Sequence, residues 1–183
     1  MLKPYIVERG VIRVIGKSVC FGGSRPKTGD IGDLFADMDG ILRRIPNRAD
    51  RLFLGISINH WNSMESGNAG PKRMAYMLGA EVRSLETYPF DHECRMIPAS
   101  RWAYIPIRYD DPDVRALAPA DKHDDMSFMT GAVFGWAKRW ISENGYVKQD
   151  FPEELEIYGL HEGYDFTIAP EKGANLTIAI PIV

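Results

Sequence analysis

The sequence predicts an α+β fold in which a mainly antiparallel sheet carries two long helices on one face. Three observations predict it. Two segments space their apolar residues at three and four, the period of a helix. Six segments alternate apolar and polar residues or run as short apolar stretches, the habit of strands. Finally, the segments follow the order strand, helix, strand, strand, and then the same again. Short connections between neighbours of this kind favour antiparallel pairing with the helices gathered on one side. Residue identity between the halves is slight, so the repeat is one of element order. At 183 residues, one domain is expected, with halves of about 1–90 and 91–183 sharing a sheet.

Taken in order, residues 4–15 read as the first strand. The first helix follows Thr28-Gly29-Asp30, where Thr28 or Asp30 can cap its start. Ile31, Leu34, Phe35, Met38, Ile41, Leu42 and Ile45 make its apolar stripe. Asp33 and Asp37 sit early and Arg43-Arg44 late, the order the helix dipole favours, and Pro46 stops it. Residues 51–59, 73–83 and 96–107 read as strands. The second helix spans 127–144, with Met129, Val133, Trp136, Ala137, Trp140 and Ile141 on one side and Asn144-Gly145 as its C-cap. Trp136 and Trp140 read as core. Residues 154–158 and 175–182 complete the strands. Residues 60–72 and 109–126 are long for connections in a compact domain, and serve either as lids over a binding face or as solvated insertions.

Composition narrows the function classes. A net charge of −3 argues against a whole-domain electrostatic nucleic-acid binder. No apolar h-region follows Lys3-Pro4, and no apolar run approaches the ~20 residues that span a bilayer, so a cytoplasmic protein is expected. Cys20 and Cys94 read as free, buried thiols of a reducing cytosol rather than a disulfide framework.

One carboxylate stands out. In Leu155-Glu156-Ile157-Tyr158 successive side chains alternate between faces. With Leu155 and Ile157 toward the core, Glu156 and Tyr158 lie together on the other side, which is expected to be open. A carboxylate beside an aromatic ring suits a cationic aromatic guest. The plainer reading is an exposed strand glutamate.

Several stretches together carry a family likeness. They are Trp140-Ile141, Asn144-Gly145-Tyr146, Leu155-Glu156-Ile157-Tyr158 and the terminal Ile178-Ala179-Ile180-Pro181-Ile182, joined by Met96-Ile97-Pro98-Ala99-Ser100-Arg101-Trp102-Ala103-Tyr104 and Leu54-Gly55-Ile56. The chain resembles the gyrase-inhibitor-like (GyrI-like) effector-binding domains over nearly its whole length, with the specific motifs concentrated in the second half. The resemblance implies a pseudo-twofold pair of strand-helix-strand-strand units and a pocket glutamate, matched here by Glu156. It implies binding of hydrophobic or cationic aromatic small molecules, as in multidrug-responsive regulators, with no cofactor. Two other branches imply alternatives. One is hydrolysis of cyclopropane-containing genotoxins, with Glu156 as general base and Tyr158 or Tyr104 donating to the leaving group or carbonyl oxygen. The other is a gyrase-inhibitor-type protein-interaction module. The chain starts in a strand with no helix-turn-helix ahead of it, so a stand-alone member is expected, and a regulatory role would need a partner that reads DNA.

Tyr158, Tyr104, Trp102, Tyr76 and Trp61 are the aromatic candidates to wall a flat pocket around Glu156. Aromatic residues are more usually core. Two further motifs point to plainer roles. Gly22-Gly23-Ser24-Arg25-Pro26-Lys27-Thr28-Gly29 has Pro26 where a phosphate loop needs glycine, so it reads as a turn. His92-Glu93-Cys94 matches no common zinc spacing, and His60, His123 and His161 are scattered, so no metal is expected.

Overall fold

The computed structural model describes residues 2–21, 29–59, 74–160 and 175–183. They form an α+β fold whose paired strands are antiparallel. Two compact units emerge. One comprises Met1–Gly10 and Ala99–Val183, the other Val11–Pro98.

The Val11–Pro98 unit contains β2 (Ile12–Phe21), α1 (Ile31–Ala36), α2 (Met38–Arg43), β3 (Phe53–Asn59), β4 (Met74–Glu81) and β5 (Glu93–Ile97). Its strands lie in the order β3-β4-β2-β5. The other unit contains β1 (Tyr5–Arg9), β6 (Ser100–Arg108), α3 (Pro112–Arg115), a 3-10 turn (Ala120–Lys122), α4 (Met126–Glu143), β7 (Leu155–Tyr158) and β8 (Asn175–Ile182). Its strands lie in the order β1-β6-β8-β7. Each unit therefore holds the expected strand-helix-strand-strand series, β2-α1/α2-β3-β4 in one and β6-α4-β7-β8 in the other. The repeat extends to detail. Arg48 bridges Val82 beside the end of β4, and Lys148 bridges Ile182 at the end of β8.

Two expected strands are each divided. Residues 4–15 break at Gly10-Val11, because β1 pairs with β6 whereas β2 pairs with β4 and β5. Residues 96–107 break at Pro98-Ala99, where proline has no N–H to continue a ladder. The first helix is also divided. Asp37 leaves helical geometry at φ −99°, ψ 14° between α1 and α2. The break is shallow, since the Asp37 N–H donates to the Asp33 carbonyl at 3.1 Å and the Ile41 N–H to the Asp37 carbonyl at 3.0 Å. The apolar stripe survives it, with Leu34, Ile41, Leu42 and Ile45 all buried. At the start of α1 the Asp30 N–H donates to the Asp33 carboxylate at 2.9 Å, which fixes the entry of the chain.

In α4, Asp125 is the N-cap and its carboxylate accepts from the Phe128 N–H at 2.9 Å. Gly145 takes φ +79° just past the other end, a conformation that favours glycine. Met129, Val133, Ala137 and Ile141 are buried, while Trp136 and Trp140 are only half-buried rather than core. The 109–126 segment is structured. Asp111 caps α3 by accepting from the Asp113 N–H at 2.8 Å, and Val114 is fully buried.

One close approach dictates composition. Gly16 of β2 faces Gly79 of β4. A Cβ on Gly16 would stand 2.2 Å from the Leu78 carbonyl oxygen. Only glycine lets the two backbones meet there. Among the described residues, no helix is long and apolar enough to cross a membrane.

Candidate functional site

Strand β7 is short and almost wholly buried, and Glu156 is its least covered residue. Glu156 and Tyr158 point the same way, as alternation requires, and the Tyr158 hydroxyl donates to Glu156 Oε2 at 2.5 Å. Residues directly opposite in antiparallel strands share a face. Glu156 is opposite Ile178 and Tyr158 is opposite Leu176. Ile178 and Leu176 are opposite Ile105 and Ile107 in turn. The carboxylate thus sits at the margin of an aliphatic floor.

That face is not open, in contrast to the sequence expectation. The α4 helix lies over it. Lys138 of α4 reaches Glu154 at 3.7 Å, and Thr130 of α4 shares a 2.6 Å hydrogen bond with the Tyr109 hydroxyl. Tyr158 is consequently buried, and Glu156 is half-buried. Lys148 also reaches Glu154 at 3.3 Å.

Tyr109 is a site residue that the sequence reading passed over. Burial raises its phenol pKa most, the Thr130 hydrogen bond opposes that rise, and the negative charge of Glu156 adds to it. The phenol is therefore a hydrogen-bonding group, held protonated near the carboxylate. Its signal in the sequence is parity. Tyr109 continues the Ile105, Ile107 alternation by one step, beyond the apparent end of the strand.

Tyr104 and Trp102 go elsewhere. Tyr104 is opposite Ala179, which is opposite Leu155, and Trp102 is opposite Pro181. Both therefore stand on the face of Leu155 and Ile157, across the sheet from Glu156. Both are buried there, with the Tyr104 hydroxyl accepting from Arg9 Nη1 at 3.2 Å and its ring 5.6 Å from that of Tyr5. Tyr76 belongs to the Val11–Pro98 unit, buried with its ring 6.2 Å from Phe35 of α1. Trp61 lies outside the described residues, as do His60, His161, the 60–72 connection and residues 22–28. Trp140 stacks on Tyr146, with ring centroids 6.4 Å apart, and Arg101 lies 5.7 Å above the Tyr146 ring.

His92 is engaged structurally. It is buried, its Nδ1 lies 3.1 Å from Asp91 and its Nε2 lies 3.1 Å from the Ile41 carbonyl oxygen in the last turn of α2. Glu93 accepts from the Ser18 hydroxyl at 2.9 Å. The thiols are not buried as expected: Cys94, on the terminal strand β5, is exposed and Cys20 is half-buried. Among the described residues, no three His, Cys, Asp or Glu side chains converge as a metal site.

No family model matches the chain, and no curated protein matches it in sequence. Solved structures do match. The chain is similar to SAV2435 bound to tetraphenylphosphonium, with a TM-score of 0.59, 11% identity and coverage of 99% of this chain and 94% of that one. It is similar to the EcmrR C-terminal domain, with a TM-score of 0.58, 12% identity and coverage of 100% and 98%. A bacterial transcription regulation protein from Staphylococcus aureus MU50 gives 0.55, 11% identity and coverage of 100% and 99%. At these identities the likeness is one of fold, and it extends over essentially the entire chain.

Proposed function

We propose that this chain is a receptor for lipophilic aromatic cations, with Glu156 reading the positive charge. The observation that carries the reading is the half-buried Glu156 carboxylate, held by the Tyr158 hydroxyl at 2.5 Å among aliphatic side chains. Apolar surroundings strengthen the attraction between such a carboxylate and a cation that reaches it. Tyr109 supports the same site by presenting a protonated phenol near that charge. The fold is consistent with the reading, since SAV2435, which shares it, binds tetraphenylphosphonium. Apolar burial and ring contacts supply most of the affinity, and the carboxylate supplies charge selectivity. Signalling to transcription belongs to the same proposal, through a partner that reads DNA.

The test is a comparison of two probes of similar shape. Tetraphenylphosphonium and neutral triphenylphosphine oxide are titrated into the protein by calorimetry, with melting temperature as a second readout. The proposal expects saturable one-to-one binding of the cation and weaker binding of the oxide. Equal affinities, or no saturable binding of the cation, would reject it.

A further inference from the structure

Strand β5 ends the strand order, with β2 on one side and no strand on the other. The direction of its backbone groups follows from β2. The Val82 N–H donates to the Arg13 carbonyl oxygen at 2.8 Å, in step with the β2–β4 register. Arg13 therefore turns its backbone groups toward β4, and Ile12 and Val14 turn theirs toward β5, because direction alternates along an antiparallel strand. Ile12 is opposite Ile97, Val14 opposite Arg95 and Gly16 opposite Glu93, without a bulge. So Glu93, Arg95 and Ile97 bond inward to β2, while Cys94 and Met96 aim their N–H and C=O groups out of the sheet. Among the described residues, no backbone hydrogen bond reaches that outer side.

The side chains leave this edge unguarded. Within Glu93–Ile97 there is no proline and no lysine, two of the usual protections of an edge strand. Cys94 and Met96 share a face, Cys94 is exposed and Met96 is 62% exposed. Phe90, two residues before His92, is 97% exposed. Unpaired backbone groups beside exposed apolar side chains are a template for another strand.

Charge and backbone direction together select a second copy and its register. Two identical strands meeting about a twofold axis pair antiparallel. Facing residues must point their backbone groups the same way, so an outward residue faces an outward one. With Arg95 facing the partner's Arg95, like charges would lie directly across the strands, which is destabilising. Centred on Met96, the pairing would run past Ile97 to Pro98, which has no N–H. Centred on Cys94, Glu93 faces the partner's Arg95 twice over, a favourable cross-strand pair. Cys94 and the partner's Cys94 exchange two backbone bonds, and each Met96 N–H meets the partner's His92 carbonyl oxygen. The comparison needs no vacancy at either side chain. Arg95 has an interaction within its own chain and Glu93 accepts from Ser18, and the register decides only which charge lies across from each.

We propose that β5 pairs with β5 of a second copy, in register about Cys94, so that the β3-β4-β2-β5 strands of two chains form one continuous sheet. The interface is independent of Glu156 and of the cation it reads.

Sedimentation equilibrium of the full chain in reductant tests the pairing on wild type, Glu93→Arg, Glu93→Arg with Arg95→Glu, and Met96→Pro. Wild type should form a dimer. Glu93→Arg should weaken it by about tenfold or more, and the added Arg95→Glu should restore it. Met96→Pro deletes an outward N–H that the chain itself does not use, so the fold should persist by circular dichroism while the dimer is lost. Should Met96→Pro fold poorly, the charge reversal and its rescue carry the test. Oxidised glutathione then probes the register. Facing Cys94 residues have Cα atoms about 5.5 Å apart, within reach of a disulfide, whereas the Arg95-centred register separates them by more than ~7 Å. Two Cys94 thiols are oxidised to one disulfide as one glutathione disulfide is reduced to two thiols. The covalent dimer should form in wild type and not in Cys94→Ser, which should keep the non-covalent dimer. A monomer at millimolar concentration, a dimer indifferent to Met96→Pro or to Glu93→Arg, or failure of Cys94 to cross-link the dimer would overturn the proposal.

Discussion

Replacing Glu156 with glutamine removes one charge and almost nothing else. The amide keeps the size of the carboxylate, and its oxygen can still accept from the Tyr158 hydroxyl that now donates at 2.5 Å. The expected loss comes from Coulomb's law. A cation centre buried behind aromatic groups approaches a carboxylate to about 5 Å, and at an effective dielectric of about 20 the attraction is about 3 kcal/mol. Glu156 is only half-buried, so solvent screening reduces this to between about 1.5 and 3 kcal/mol. Tetraphenylphosphonium should therefore bind Glu156→Gln about 10- to 100-fold more weakly. Triphenylphosphine oxide has no net charge for the carboxylate to read and should bind both proteins alike. Calorimetry of the two probes on the two proteins measures the difference of differences and cancels any general loosening of the site. A phosphonium affinity that changes less than twofold would refute the argument, because it would place the carboxylate outside the field of the ligand.

Other consequences are open to direct measurement. Gly16→Ala should destabilise the protein by about 2–3 kcal/mol, because its Cβ would meet the Leu78 carbonyl oxygen at 2.2 Å and strand β2 would have to shift. An unmoved urea midpoint would count against the close pairing of β2 and β4. Asp91 lies between Arg44, at 2.7 and 2.8 Å, and Lys17, at 3.1 Å. Desolvation pushes its pKa up, but hydrogen bonds from Arg44, Lys17 and His92 and the Arg44 charge outweigh it and hold the carboxyl well below its ordinary 3.8. A depressed carboxyl contributes stability above its unfolded pKa and loses it as pH falls through the folded value. Asp91→Asn should therefore flatten the fall in urea midpoint below about pH 4, and identical profiles for variant and wild type would show that the cluster has no such role. Tyr109 has the opposite sign, since its neutral phenol is the form favoured in the fold. Stability linked to it is complete below the ordinary tyrosine value of 10 and declines as pH rises beyond it. Ultraviolet titration should find that Tyr109→Phe removes a phenol that ionises later than the rest, and loss of an ordinary one instead would contradict its burial beside Glu156.

The sequence by itself determined what is local. Helical spacing located α4 to within a residue at each end, and alternation located β8 and put Glu156 and Tyr158 on a common side. Such signals depend on residues a few positions apart, which the geometry of one element controls. Tertiary structure decided what depends on pairing. An unbroken alternating run from residue 4 to 15 does not reveal that its two parts join different ladders, one with β6 and one with β4 and β5. The same is true of the aromatic candidates. Trp102 and Tyr104 alternate as Glu156 and Tyr158 do, but the register through β8 puts the two pairs on opposite sides of the sheet. A shift of one residue would have united them, because side chains in a strand repeat every two residues. That register is set by packing both faces at once, over separations that run from 18 residues (Tyr158 to Leu176) to 81 (Arg101 to Ile182), beyond the reach of any local signal.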